Sequence, residues 1–216
     1  MNVHLKWAAV LMATLALSAA ALAADASSLK PPPGAAVALV VFEDLQCPDC
    51  ARAYPVFWEA ARAHKIPVML HDFPLPRHNW SFKAAVFARF FDTKSQKLGN
   101  EYRGYIYKNQ PQISNEAGLQ QYTQKFADEN NVPLPFAVDP DGKLAEKVRT
   151  DFSLGQSIGL EHTPTIFVIG RGTASTPFVE VVDPGKLSAA IEDMQKKAAA
   201  ATPAKSLPRK TRKKTR

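Results

Sequence analysis

A short valine-rich run ends a few residues before the only two cysteines of the chain, and this order most constrains the fold. Residues 35–42 (AAVALVVF) have the continuous apolar pattern of a strand buried on both faces. Over residues 48–65 the apolar side chains recur at intervals of three and four, which predicts a helix with Pro55 as a kink inside it. The cysteines therefore lie where a buried strand passes into an amphipathic helix. Residues 66–73 (IPVMLHDF) predict a second strand.

The remainder of the chain predicts helices, then a hairpin, then a last helix. Residues 79–145 are mostly helical in pattern, and residues 139–159 predict one more helix. Residues 165–169 (TIFVI) and 178–182 (FVEVV) flank a glycine-containing connection and predict two paired strands. A final helix is expected over residues 183–197. This order predicts an α/β fold in which helices flank a central sheet.

The spacing of Cys47 and Cys50 argues against a stabilising disulfide. Hydrophobic residues make up 46% of the chain, so a large core is available without covalent support. A bridge between these two positions would close almost no loop and would restrict the unfolded chain very little. We therefore expect the pair to serve chemistry rather than stability.

The position of Cys47 predicts a reactive thiolate. Pro48 suits the first helical position, where its missing N–H costs nothing. The helix start directs unbonded N–H groups and a positive dipole end toward Cys47, which favours the thiolate and lowers the pKa. Cys50 lies one turn further into the helix and is expected to be buried. These positions predict an accessible Cys47 that attacks or is attacked, and a Cys50 that resolves the mixed disulfide.

A zinc site is the structural alternative for a C-x-x-C pair. Structural zinc usually has four protein ligands, often from a second C-x-x-C or a paired histidine motif. The chain has no further cysteine, and its five histidines never occur with H-x₃₋₅-H spacing. We therefore expect no metal at this pair.

Three segments of this sequence resemble the DsbA-type thiol–disulfide oxidoreductases of the bacterial envelope: VVFEDLQCPDCARAYP, HDFPLPRH and GLEHTPTIFVIG. The resemblance covers residues 35–197 and implies a thioredoxin-like domain over residues 35–198. It also implies a helical insertion, at about residues 78–158, between the second strand and the cis-proline strand. The implied redox centre is a Cys47–Cys50 disulfide with no other cofactor. Pro164, preceded by Thr163, would be the cis proline, whereas the residues alone also allow a trans proline at an edge strand.

Two positions depart from the pattern that the resemblance implies. Members of the family often have a buried acid six residues before the first cysteine, where this chain has Val41. Glu43 either assists proton transfer from the second cysteine or is a solvated loop charge, and we favour the solvated charge. Asp49 stands where strongly oxidising members have histidine, and its negative charge opposes the thiolate. We therefore expect Cys47 to be less acidic and the disulfide less oxidising than in those members.

His162, two residues before Pro164, has two interpretations. As a cation close to Cys47 it would favour the thiolate. As a packed or solvated side chain, which is the commoner situation, it would have no part in the chemistry.

The two ends of the chain predict export and a basic tail. Residues 1–23 combine an early positive charge, an apolar stretch and the A-x-A pattern of a secretory signal peptide, with an uncleaved anchor as the alternative. Residues 24–34 predict an extended linker, because three consecutive prolines exclude a helix. Residues 199–216 carry seven positive charges and no acid, which equals the net charge of +7, and they predict a disordered tail. The tail either contacts anionic envelope surfaces or is only solvated, and we expect no specific nucleic acid.

These observations favour an exported enzyme of the periplasm or cell envelope. It would exchange disulfides with cysteines of other exported proteins, and a membrane redox partner would recycle it. The sequence leaves the direction open between oxidation and reduction or isomerisation. The alternative is a non-catalytic copper-binding protein that uses Cys47, Cys50 and His162, because soft thiolates suit Cu(I).

Overall fold

The computed structural model describes residues 24–172 and 176–201. The predicted signal peptide and most of the predicted tail lie outside the described residues, as does part of the connection between the two hairpin strands. Six α-helices and four β-strands make up most of the described domain: β1 (Val37–Glu43), α1 (Pro48–His64), β2 (Val68–Asp72), α2 (Ser81–Asp92), α3 (Gln96–Asn109), α4 (Glu116–Glu129), α5 (Lys143–Ser157), β3 (Thr165–Gly170), β4 (Phe178–Glu180) and α6 (Leu187–Ala200).

The four strands form one mixed sheet in the order β2-β1-β3-β4. β1 runs parallel to β2, with Leu39 opposite Val68, and antiparallel to β3, with Leu39 opposite Val168. All seven residues of β1 are buried, as its continuous apolar run predicts for a strand covered on both faces. β3 and β4 form the predicted antiparallel hairpin. The predicted α/β, thioredoxin-like fold is confirmed.

Helix α1 begins at the predicted position. Cys47 is its N-cap residue, with an extended backbone, and Pro48 is the first helical residue. The helix runs through Pro55 and ends at Lys65, whose left-handed backbone (φ 54°) stops it. Phe57, Ala60 and Ala61 are buried on the face toward the sheet, so the predicted apolar stripe is the side that packs.

Helices α2 to α5 lie between β2 and β3 in sequence, which is the helical insertion that was expected. Its core contains an aromatic group that includes Phe91, Tyr102 and Phe126, whose rings are 4.6 to 5.3 Å apart between centroids. Both cysteines belong to the same buried cluster. The insertion therefore supplies one wall of the region around the cysteines.

The segment before β1 differs from the extended linker predicted over residues 24–34. Residues Ala26–Ser28 form a 3₁₀ turn capped by the side chain of Asp25, and the Asp25 N–H donates to the carbonyl of Ile158. Ala26 is fully buried and Leu29 is nearly so, within the cluster on one face of the sheet. The prediction is wrong for this first part, because the prolines that exclude helix begin only at Pro31 and the apolar residues before them find a surface to cover.

No helix in residues 24–172 and 176–201 is both long enough and apolar enough to cross a membrane.

Candidate active site

The thiol of Cys47 faces the segment that leads into β3. Its Sγ atom lies 3.3 Å from the carbonyl oxygen of Thr163, which accepts the hydrogen bond. The peptide bond between Thr163 and Pro164 is cis, so the isomer predicted for Pro164 is confirmed. Residues 116 positions apart in the sequence therefore meet at one point, the N terminus of α1.

Cys47 is less accessible than the sequence predicted. The residue is 3% exposed, and it shares a buried cluster with Leu45 and Trp80. The expectation of an open thiol is wrong for this dithiol form, because the sulfur faces the Thr163 carbonyl and the residue packs within the buried cluster. A surface cavity of about 430 Å³ is lined by both Thr163 and Pro164, the segment that faces Cys47, although neither cysteine is among its lining residues.

The two cysteines are free thiols with opposite acidities. The pKa of Cys47 is lowered to about 6, mainly because the Cys50 thiol donates a hydrogen bond to it; burial acts against this, and the side chain of Thr163 lowers the pKa further. Burial raises the pKa of Cys50 well above its ordinary value. The predicted asymmetry is present. Its leading cause, the thiol of Cys50 as a donor, was missed by the sequence argument, which invoked the helix N terminus.

Glu43 is not the solvated loop charge that we favoured. It is the last residue of β1 and is 2% exposed. Its Oε1 lies 3.0 Å from Nε of Arg103, and its Oε2 accepts a hydrogen bond of 2.9 Å from the hydroxyl of Tyr107. Burial raises the pKa of Glu43 to about 7, although Arg103 and Tyr107 act in the opposite direction. The chain thus has a buried acid at the end of β1, at Glu43 rather than at the position of Val41.

Arg103 connects Glu43 to a buried ionic network that the sequence did not reveal. Its guanidinium is fully buried and binds Asp92 through two hydrogen bonds, of 2.8 and 2.9 Å. Asp72, the last residue of β2, lies 3.9 Å from Arg103 and 2.5 Å from Nε of Arg89. The members of this network come from β1, β2, α2 and α3, so no local pattern could have indicated it.

Asp44 ties the loop before Cys47 to the segment after β2. The side chain is fully buried, and its Oδ2 accepts hydrogen bonds from the Leu75 N–H and from Nδ1 of His78, both at 2.7 Å. The backbone N–H of Asp44 points at Sγ of Cys50, at 3.4 Å. Sequence reasoning found no physical role for His78, and only the structure supplies its partner.

Asp49 and His162 line the cavity beside Pro164, and both are exposed. Asp49 forms an ion pair with Arg52, one turn along α1. Nε2 of His162 lies 3.7 Å from a carboxylate oxygen of Glu180, and its side chain is 61% exposed. The position of His162 therefore fits the interpretation that its side chain is solvated. Its ion-pair partner is the Glu180 carboxylate.

The ligand set of the copper alternative does not come together. Within the described ranges, no three side chains of histidine, cysteine, aspartate or glutamate are arranged to hold a metal ion. Cys47 and Cys50 are buried, whereas His162 lies on the surface beside Glu180. The structure thus offers no third ligand at the cysteine pair from the predicted set.

Comparison with known proteins supports the same fold. The thioredoxin family profile matches residues 32–193. Wolbachia pipientis alpha-DsbA1 is 19% identical, with a TM-score of 0.64 over 79% of this chain and 91% of that one. The thiol-disulfide exchange protein alpha-DsbA2 from the same organism is 19% identical, with a TM-score of 0.56 over 80% and 86%.

A third structure, the oxidoreductase NmDsbA1 from N. meningitidis, is 16% identical, with a TM-score of 0.57 over 80% of this chain and 88% of that one. No curated protein sequence matches the chain significantly. Because the profile spans most of the described domain, from the residues before β1 into α6, the chain belongs to the thioredoxin family, and its fold is that of DsbA-type proteins.

Proposed function

We propose that this protein is an exported thiol–disulfide oxidoreductase that exchanges disulfides with cysteines of other exported proteins. One observation carries the proposal: an acidic thiol, Cys47, caps the redox helix directly opposite the Thr163–Pro164 segment, with a buried Cys50 one turn behind it. The fold is shared with proteins described as a thiol-disulfide exchange protein and as an oxidoreductase. The C-P-D-C sequence supplies the redox-active disulfide, and no other cofactor is invoked.

The oxidising reaction has two displacements. A substrate thiolate attacks Sγ of Cys47 in the disulfide form, a substrate–Cys47 bond forms, and Cys50 leaves with the electron pair of the broken bond. A second substrate thiolate then attacks the substrate sulfur of the mixed disulfide, and Cys47 leaves as a thiolate. The substrate has lost two electrons and the enzyme has gained them. The low pKa of Cys47 favours its departure, since a more acidic thiol is the better leaving group.

Cys50 needs a proton when it leaves, because burial disfavours its thiolate. Glu43 is suited to exchange that proton, since its pKa of about 7 keeps both of its forms available near neutral pH. Tyr107 interacts with both groups: its hydroxyl donates to Glu43, and the charges of both Glu43 and Cys50 act on it. Glu43 would thus assist proton transfer to and from Cys50, the task implied for the buried acid that family members often have at the position of Val41.

The proposed location is the periplasm or cell envelope, on the basis of the signal-peptide pattern in residues 1–23. The reduced enzyme would return its two electrons to a membrane redox partner, which regenerates the Cys47–Cys50 disulfide. The basic residues beyond α6 would hold the protein near anionic envelope surfaces through charge attraction.

The test is disulfide transfer from the oxidised mature protein to a reduced peptide with two cysteines. We expect the wild-type protein to oxidise the peptide stoichiometrically and Cys47→Ser to transfer nothing. Cys50→Ser is the matched variant and is assayed against the oxidised form of the peptide. Its Cys47 thiolate attacks the peptide disulfide and displaces one peptide cysteine as a thiolate, and the resulting mixed disulfide should accumulate, visible by mass spectrometry, because no Cys50 thiol remains to release the peptide. Transfer by Cys47→Ser at the wild-type rate would exclude the proposed chemistry. Metal analysis of the same samples addresses copper.

A further inference from the structure

The carboxylate of Asp44 is held by an unusually complete set of donors for a loop residue next to a redox pair. Its Oδ1 accepts from the Gln46 N–H at 2.7 Å, and its Oδ2 accepts from the Leu75 N–H and from Nδ1 of His78. Within residues 24–172 and 176–201, His78 is the one basic side chain paired with it. A buried carboxylate is costly unless it is hydrogen-bonded, so this set of donors fixes where Asp44 lies.

The backbone of the same residue contacts both cysteines. The Asp44 N–H lies 3.4 Å from Sγ of Cys50, and the Asp44 carbonyl accepts a 3.0 Å hydrogen bond from the N–H of Cys47. Any displacement of Asp44 therefore displaces a donor to one sulfur and the main chain of the other cysteine. The negative charge of Asp44 also acts against the Cys47 thiolate.

His78 lies on the segment after β2. Besides the contact between His78 and Asp44, this segment binds the loop before Cys47 through Gln46. The side chain of Gln46 accepts a hydrogen bond from the Trp80 N–H at 2.9 Å and donates one to Oδ1 of Asn79 at 3.0 Å. The His78 N–H donates to the carbonyl of Leu75, which closes a turn and presents the imidazole to Asp44. The imidazole is mostly buried, with 15% of the side chain exposed.

We propose that His78 is a positioning residue which, acting through the carboxylate of Asp44, sets the equilibrium between the dithiol and disulfide forms of Cys47 and Cys50. This inference deepens the proposed function and rests on it. His78 touches neither cysteine through any described contact; it holds the residue that touches both. Neither the fold comparison nor the C-x-x-C spacing assigns this task to any side chain.

The physical effect follows from loss of the Nδ1–H donor. Without it, one of the donors to a buried carboxylate is gone, and Asp44 gains by moving toward water. That movement weakens the Cys50 hydrogen bond and shifts Cys47 relative to the start of α1. The shift of Cys47 separates it from the Cys50 thiol, whose hydrogen bond is the leading cause of its low pKa, whereas the opposing charge of Asp44 is a smaller cause. The Cys47 thiolate is therefore disfavoured, and the dithiol form becomes less stable relative to the disulfide. The fraction of Cys47 ionised at a fixed acidic pH should fall on the order of tenfold, which corresponds to a rise of one pKa unit.

The experiment compares His78→Ala, His78→Asn and His78→Gln in the mature protein. The amide nitrogen of asparagine can occupy the position of Nδ1, whereas that of glutamine reaches further, toward the position of Nε2. Two readouts are used: the pH titration of thiolate ultraviolet absorbance in the reduced protein, and the redox equilibrium with glutathione. Arg77→Ala is the matched control, since it removes a positive charge from the adjacent exposed position in the same segment.

We expect His78→Ala and His78→Gln to shift the Cys47 titration upward, with His78→Asn and Arg77→Ala close to wild type. In an Asp44→Asn background, His78→Ala should no longer shift the titration, because the residue through which it acts has been changed. A folded His78→Ala protein that titrates like the wild type would overturn the proposal.

If His78→Ala does not fold, the proposal is tested by comparing the Cys47 titrations of His78→Asn and His78→Gln. Restoration by asparagine with an upward shift in glutamine supports the proposal, and equal titrations of the two variants refute it. The thiolate titration needs no substrate, so it tests His78 even if the wild-type protein transfers no disulfide to peptides. That last result would count against the proposed function alone.

Discussion

The hydroxyl of Tyr107, on α3, lies 2.9 Å from Oε2 of Glu43 at the end of β1, so the helical insertion supplies a hydrogen-bond donor to this buried acid. Tyr107 is itself almost completely buried, and its hydroxyl is 3.5 Å from the Asp44 carbonyl. The insertion therefore contacts the two residues that follow Phe42 with a polar group as well as through apolar packing.

The first prediction concerns stability against pH. Burial raises the pKa of Glu43 from 4.5 to about 7, so the folded protein binds this proton more tightly than the unfolded chain. The resulting stabilisation is complete below pH 4.5 and is lost as the pH rises through 7, by roughly 3 kcal/mol. Glu43→Gln should flatten this slope of the unfolding free energy, measured by urea denaturation at several pH values.

Tyr107→Phe provides the control for that slope. The tyrosine hydroxyl favours the Glu43 carboxylate, so its removal should raise the pKa further and move the loss of stability to higher pH. A slope in Glu43→Gln as steep as in wild type would assign the titration to another group.

A second prediction concerns the acidity of Cys47. The leading cause of its low pKa is the hydrogen bond from the Cys50 thiol. Cys50→Ala removes that donor, so the midpoint of the alkylation rate against pH should move from about 6 toward the ordinary thiol value of 9.0. Cys50→Ser keeps a donor and should give an intermediate midpoint. Identical midpoints for the wild-type and Cys50→Ala proteins would remove Cys50 as the cause.

A third prediction concerns Asp49, between the cysteines. Asp49→His should raise the reduction potential, because it removes a negative charge near the Cys47 thiolate and allows a positive one. The effect should be modest, at most about fivefold in the redox equilibrium constant, since Asp49 is exposed and paired with Arg52. Arg52→Ala leaves Asp49 unpaired and should move the potential the other way. An unchanged or lower potential in Asp49→His would contradict the charge argument.

A fourth prediction concerns the buried ionic network. Arg103→Met should lower the free energy of unfolding by about 3–5 kcal/mol, because it leaves the acids around it without their buried cation. Lys97→Ala is the matched change on the same helix, where the pair with Glu101 is exposed and contributes about 0–1 kcal/mol. Equal losses in the two variants would mean that Arg103 is not the centre of the network.

The parts of the site that depend on neighbours in sequence were predictable. An uninterrupted apolar run indicates a buried strand, proline after Cys47 suits a helix start, and the spacing of Cys47 and Cys50 indicates redox chemistry. Pro164 was placed opposite Cys47 only through the resemblance to DsbA-type proteins. Nothing in the residues themselves brings those two positions together.

The parts that depend on distant partners were not predictable. The sequence analysis favoured a solvated Glu43, and the partners that make its burial possible, Arg103 and Tyr107, lie far along the chain. The same holds for Asp44 and His78, which are 34 positions apart. Hydrophobic periodicity indicates which side of a helix is covered, but it does not identify which acid meets which base.

The packing of Ala26 and Leu29 against the sheet affects where the protein can be shortened for experiments. A truncated protein that starts at Ala35, where the apolar run begins, would lack the buried side chains of Ala26 and Leu29. Apolar residues of β1 and β3 would then be exposed to solvent. One that keeps Asp25 retains both the turn and its anchor on Ile158. The useful boundary of the folded unit therefore lies about ten positions earlier than hydropathy alone suggests.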